Sequence, residues 1–100
     1  MLHTINKSPF EKNAVESCLR FARQGHTVLL FEDAVYAALQ GTRFEGQMKN
    51  ALSKLSICVL LADLEARGMK ADNVIAGIKT IDYARFVDLV VENKSVQAWL

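Results

Sequence analysis

Two apolar runs, His26-Thr27-Val28-Leu29-Leu30-Phe31 and Leu55-Ser56-Ile57-Cys58-Val59-Leu60-Leu61, constrain the fold of this chain more than any other feature. A strand with one wet face alternates polar and apolar residues, whereas these segments are continuously apolar over four or more positions. Each therefore predicts a strand buried on both faces, the situation of strands inside a parallel sheet covered by helices. The first run is bounded by Gly25 on one side and by Glu32 and Asp33 on the other, as a strand between two turns requires. Parallel neighbours need crossover connections, so helices are expected between the strands.

The rest of the chain supplies them. Leu2 to Ile5 reads as a short first strand, Gly77 to Ile81 as a later one and Ser95 to Leu100 as a terminal one. The first helical segment runs from Pro9 to Arg23. Ser8 suits its N-cap, Pro9 the first helical position and Glu11 the third, which completes a capping box, and Gly25 suits the C-terminal cap. Asp33 is placed to cap a short helix from Ala34 to Leu39 that ends at Gly41. Between Thr42 and Lys54, residues Phe44, Met48, Ala51 and Leu52 have helical spacing but Gly46 interrupts them, which predicts loop with some helix. A short helix from Asp63 to Arg67 is stopped by Gly68, and Asp82 caps a helix from Tyr83 to Glu92. Five strands alternating with helices predict an α/β fold: a small three-layer domain with a mostly parallel sheet and right-handed crossovers, flavodoxin-like in architecture. Its 100 residues, 1–100, form a single domain without repeat or linker, and a body of this size buries only about two thirds of its unfolded surface.

Composition narrows function mainly by exclusion. With 12 Lys and Arg against 11 Asp and Glu, the net charge of +1 is dispersed, and no basic face suited to nucleic acid is legible. The longest apolar run, Ile57 to Ala62, is far too short to cross a bilayer, and the N-terminus lacks the pattern of a secretory signal, so a cytoplasmic location is expected. No Gly-x-Gly-x-x-Gly follows the first strand and no Gly-x-x-x-x-Gly-Lys-Ser/Thr occurs, which removes the usual phosphate cradles of such folds. His3 and His26 have no ligand neighbours at metal spacing, so no metal and no cofactor are expected. Hydrophobic residues make up 51% of the chain, a surplus for so small a body that points to a partner interface.

A few residues merit attention as chemistry. Glu32 and Asp33 fall at the carboxyl end of a strand, where α/β sheets place ligands, but a helix cap at Asp33 and a solvated loop acid at Glu32 are the favoured account of them. His3 is read as an ordinary hydrogen-bonded strand residue. Cys58, inside an apolar strand, is assigned to the core. Cys18 shares a helical face with Phe10, Ala14 and Ala22, beside Val15 and Leu19, which suits a core or interface thiol. Lys12 and Arg20 nearby would stabilise a thiolate at a subunit boundary, so Cys18 is also the candidate sulfur carrier. Trp99, the single tryptophan, sits at the end of the chain, either as part of a packed fifth strand or as an anchor against another subunit.

Several segments together resemble one family. Leu2-His3-Thr4-Ile5-Asn6-Lys7-Ser8-Pro9-Phe10, Val28-Leu29-Leu30-Phe31-Glu32-Asp33-Ala34-Val35-Tyr36-Ala37-Ala38, Asp63-Leu64-Glu65-Ala66-Arg67-Gly68, Ile81-Asp82-Tyr83-Ala84-Arg85-Phe86-Val87-Asp88-Leu89 and Val96-Gln97-Ala98-Trp99-Leu100 are similar, in order, to the DsrH/TusB family. The resemblance implies a DsrE-like fold and a subunit of a cytoplasmic sulfur-relay complex. That complex is a heterohexamer with DsrE/TusD-like and DsrF/TusC-like partners, passing persulfide sulfur to a DsrC/TusE-like acceptor. In one branch it serves dissimilatory sulfur oxidation, and in the other the 2-thiolation of wobble uridine in tRNA. The principal persulfide cysteine of such complexes lies on the DsrE/TusD-type subunit. A cysteine in the first helix, as at Cys18, resembles the sulfur-oxidiser branch. Two roles follow as expectations: a relay subunit whose Cys18 shuttles a persulfide, or a noncatalytic subunit that completes the assembly.

Overall fold

A computed structural model describes residues 1–100. Strands β1 (Leu2–Ile5), β2 (Thr27–Leu30), β3 (Ser56–Leu60), β4 (Lys79–Ile81) and β5 (Val96–Trp99) form one sheet in the order β4-β3-β2-β1-β5. Every neighbouring pair is parallel. The order differs from the 2-1-3-4-5 order of flavodoxin itself while keeping the layered α/β architecture.

That order dictates where the helices go. From β1 through β4 each crossover steps the same way, and right-handed connections therefore deposit the 3-10 helix Glu32–Ala38 and helices α1 (Ala14–Phe21), α2 (Glu45–Ala51) and α3 (Leu61–Ala66) on one face. The last crossover runs back past three strands to reach β5, so α4 (Tyr83–Glu92) lands on the other face. The cores follow suit. Ile5, Val28, Leu30, Ile57 and Val59 join Cys18, Val15 and Met48 in a core of 22 buried residues. Leu2, Leu29, Cys58, Leu60 and Ile81 point the opposite way and meet Leu89 of α4 in a core of only 6. Phe86 of α4 adds an edge-to-face contact with Phe31, at 5.8 Å between ring centres.

The thin layer leaves apolar surface uncovered. Tyr83, Val87, Val90 and Val91 of α4 are exposed, as are Val96 on β5 and Leu100 beyond it.

Several local expectations give way to tertiary structure. The first helix begins at Ala14 and not at Pro9, because Ser8 caps a single turn instead. Its Oγ accepts the Phe10 N–H at 3.2 Å and its carbonyl accepts those of Glu11 and Lys12, which leaves the capping box unformed and Glu11 exposed. The helix ends at Phe21 with Ala22 extended, and the Gly25 N–H reaches the Lys54 carbonyl at 2.8 Å. Asp33 does not cap the segment after β2; Phe31 occupies that position, and the Asp33 carboxylate takes both Nε and Nη2 of Arg67, at 3.1 and 2.9 Å. A guanidinium fork is the stronger competitor for a carboxylate. The ambiguous stretch from Thr42 to Lys54 contains α2, and α3 starts at Leu61 directly from β3.

Other local signals hold. Asp82 Oδ1 accepts the Arg85 N–H at 2.9 Å as the cap of α4. Gly68, with φ of 77°, ends α3 in a Schellman motif: its N–H bonds the Glu65 carbonyl and that of Met69 bonds the Leu64 carbonyl, both at 3.0 Å.

Gly77 is the tighter constraint, since its φ is 101° and a Cβ there would lie 2.9 Å from Leu52 Cδ1. Gly77→Ala is expected to lose about 1–2 kcal/mol from backbone strain, with Leu52 repacking adding to it. Thermal unfolding should show a midpoint lowered by at least about 4 °C.

Candidate functional site

Cys18 lies on the inward face of α1 and is fully buried. Burial is the sole cause of its perturbation and pushes the thiol up to about 12. At pH 8 that leaves roughly one thiol in ten thousand ionised, against a nucleophile's need for a populated, accessible thiolate. Arg20, the neighbouring cation on α1, is exposed and points into solvent-facing clefts. Cys58 sits on the opposite sheet face in the smaller core, where burial raises its thiol and the charges of Lys79 and Arg85 partly oppose the shift. With one thiol in each core, the sheet separates the two free cysteines. Neither of them lines any cleft of the molecule.

Glu32 and Asp33, at the carboxyl end of β2, are engaged in tying adjacent connections together. The Glu32 N–H donates to Asp63 Oδ2 at 2.6 Å, which holds Glu32 at a left-handed φ of 48°. Asp33 is bound to Arg67, whose Nη1 also donates to the Asp63 carbonyl at 2.9 Å. These contacts join the 3-10 helix to α3 across the tops of β2 and β3. The Asp33–Arg67 pair is exposed enough on the Asp side to add less than about 1 kcal/mol.

The polar cluster that sequence reasoning missed lies beside α1 and runs across β5, β1 and the entry to β2. His3 on β1, His26 at the entry to β2 and Trp99 on β5 form a continuous hydrogen-bonded chain. Trp99 Nε1–H donates to His3 Nδ1 at 3.1 Å, and His3 Nε2 and His26 Nδ1 are 3.0 Å apart. The Arg23 backbone N–H donates to the same His26 Nδ1 at 3.2 Å. Phe21, from the last turn of α1, packs edge-on against both His3 and Trp99 at 6.0 and 5.7 Å. Both imidazoles are held below their ordinary range. For His3 the causes are burial, then His26, then the terminal amine of Met1; for His26 they are burial, the same amine and Arg23. No local sequence signal points here: the meeting depends on the pairing of β1 with β2, which sets His3 opposite Val28 and brings the β2 entry beside His3. No three His, Cys, Asp or Glu side chains converge as a metal site would need. No helix is long and apolar enough to cross a membrane.

The parallel five-stranded sheet, its unevenly distributed helices and its two buried thiols define a small α/β domain with spare apolar surface. Solved structures share the fold. The Escherichia coli ychN protein superposes with a TM-score of 0.82 at 18% identity, over 97% of each chain. MTH1491 from Methanobacterium thermoautotrophicum does so at 0.76 and 14% identity, over 97% of this chain and 95% of that one. The family described as "DsrH like protein" matches residues 7–96. Protein TusB of Cronobacter sakazakii is 35% identical over 99 residues, covering 99% of this chain and all of the relative, and Protein TusB of Shigella flexneri is 36% identical over the same span. The chain belongs to the DsrH/TusB family.

In native buffer at pH 8, neither Cys18 nor Cys58 is expected to react with a maleimide on the timescale on which the denatured chain is labelled at both positions. Rapid labelling of Cys18 in the folded chain, located by peptide mass mapping, would contradict the burial described here.

Proposed function

We propose that this chain is an assembly subunit of a cytoplasmic sulfur-relay complex. In this reading it joins DsrE/TusD-like and DsrF/TusC-like subunits in a heterohexamer. The observation that carries the reading is the end-to-end match to proteins named TusB, over 99% of this chain and the whole of each relative. The reactive persulfide belongs to the DsrE/TusD-like partner. There a thiolate attacks a sulfane sulfur, displaces the donor's thiolate, and then passes the sulfur to a thiol of a DsrC/TusE-like acceptor. Cys18 packs α1 against the sheet and takes no part in the transfer; its full burial and its thiol pushed up to about 12 support that assignment.

An assembly role needs surface to spend. Tyr83, Val87 and Val91 follow one another at i, i+4 and i+8 along α4 and, with Val90, make an exposed apolar stripe. This stripe is assigned to contact with a partner subunit. Charged substitutions at Val87 and Val91 should leave the far-UV circular dichroism of the chain unchanged while abolishing its co-purification with the partners. Intact association of a Val87→Lys, Val91→Lys double variant would remove α4 from the interface.

The names of the relatives favour the tRNA branch, in which the relay supplies sulfur for 2-thiolation of wobble uridine. Sulfur oxidation is the second reading, and the feature favouring it is the cysteine in α1. Expression in a host lacking its own TusB, with 2-thiouridine measured in hydrolysed tRNA, separates the two. Restoration by both the native chain and Cys18→Ala is expected. Restoration by the native chain alone would make Cys18 a relay thiol, and failure of both despite complex formation would favour the sulfur-oxidation branch.

A further inference from the structure

The hydrogen-bonded chain through His3, His26 and Trp99 has a property that follows from its two ends. The indole of Trp99 and the backbone N–H of Arg23 are donors only. Trp99 therefore requires a bare Nδ1 on His3, and Arg23 requires a bare Nδ1 on His26. With Nδ1 bare, neutral His3 carries its proton on Nε2, the atom that faces His26 Nδ1 at 3.0 Å. Every contact is satisfied by one arrangement alone: both rings neutral, both protonated on Nε2, with donation running from Trp99 to His3 to His26.

No place is left for another proton. The unprotonated ring nitrogens are His3 Nδ1 and His26 Nδ1, and each already accepts a hydrogen bond. A proton added at His3 Nδ1 faces the indole N–H. One added at His26 Nδ1 faces the His3 Nε2–H and the Arg23 N–H. If His3 then moves its proton from Nε2 to Nδ1 to relieve the second conflict, it meets Trp99 again. We propose that His3, His26 and Trp99 form a proton-operated clasp on the C-terminal strand, closed while both rings are neutral and opened at Trp99 when the pair takes up one proton from solvent.

The surroundings strengthen the coupling. The charged groups that bear on the rings are the Met1 amine at the start of β1 and Arg23 in the loop before β2, and no carboxylate is among the causes that shift either ring. Arg20 of α1 lines the cleft beside Phe21 and Trp99. A proton on the pair thus gains no counter-ion from the fold. β5 is held only on one side, by β1, and its residues Val96, Gln97 and Ala98 are exposed, so Trp99 is the one partly buried anchor that the strand has. Both rings titrate lower in the folded chain than their free value of 6.5, so the unfolded chain binds more protons in that window. The clasp is complete above pH 6.5 and weakens as the pH falls below it. This inference stands apart from the sulfur-relay reading and survives its failure.

Trp99 is the single tryptophan, which makes the clasp directly observable. The full chain, labelled with ¹⁵N, is titrated from pH 7.5 to 5.0 while the indole N–H resonance, its exchange protection, tryptophan emission and far-UV circular dichroism are followed. Expected is a shift of the indole resonance and an emission change with a midpoint below pH 6.5, with the protection factor falling by up to about tenfold per pH unit, the limit for uptake of one proton, once the pair titrates. The circular dichroism should stay constant. In a His3→Gln, His26→Gln double variant, amides offer the same donor and acceptor pattern without titrating, and the transition should vanish. The proposal is overturned if the native indole keeps its shift and protection while the imidazole nitrogens titrate. It is overturned equally if the change coincides with loss of secondary structure, or if the double variant shows the native transition.

Discussion

The position of β1 between β2 and β5 is the constraint on which the rest of this molecule depends. Three crossovers proceed in one direction from it and the fourth returns past it, and right-handedness converts that reversal into an unequal division of helices between the faces. One face receives nearly all the helical cover and a core of 22 residues, while the other receives α4 and a core of 6. Much of the rest follows from this imbalance. The thick layer hides Cys18, and the thin layer leaves Tyr83, Val87 and Val91 without a partner in the chain. A domain of this size has little burial to spare. Leaving four large side chains of one helix in water is therefore informative about how the protein is used.

The same reversal creates the second distinctive feature. Because β5 is brought back beside β1, residues separated by 96 positions, His3 and Trp99, come within hydrogen-bonding distance. Parallel pairing of β1 with β2 delivers His26 to the same corner. Burial favours the neutral form of each ring, and the donors at both ends fix the tautomer that remains. A short edge strand, otherwise exposed at three of its four residues, is thereby tied to the centre of the sheet through side chains as well as backbone. The burial of both thiols follows from the same architecture, since each lies under the layer that covers its face of the sheet.

β2 and β3 were legible in the sequence because continuous apolar runs have one common use in an α/β chain, and the Asp82 cap and the Gly68 stop were legible because each acts within four residues of itself. Ser8-Pro9 misled for an equally local reason: a serine hydroxyl that caps a helix also caps a single turn, and nothing nearby distinguishes the two. Asp33 misled because its partner, Arg67, is 34 residues away. The double assignment of Cys18, to core or to relay, reflected a helical periodicity that records which residues share a face but not what that face meets.

By itself, the sequence determined the fold class, the positions of the central strands, the ends of the later helices and the family, because all of these are encoded in local pattern or in end-to-end resemblance. Only the tertiary structure decided the strand order, the unequal layers, the burial of both thiols and the meeting of His3, His26 and Trp99. The physical reason is the range of the forces involved. Capping and hydrophobic periodicity act within a few residues, whereas desolvation and hydrogen bonding between distant side chains come into being only after the crossovers have placed the strands side by side.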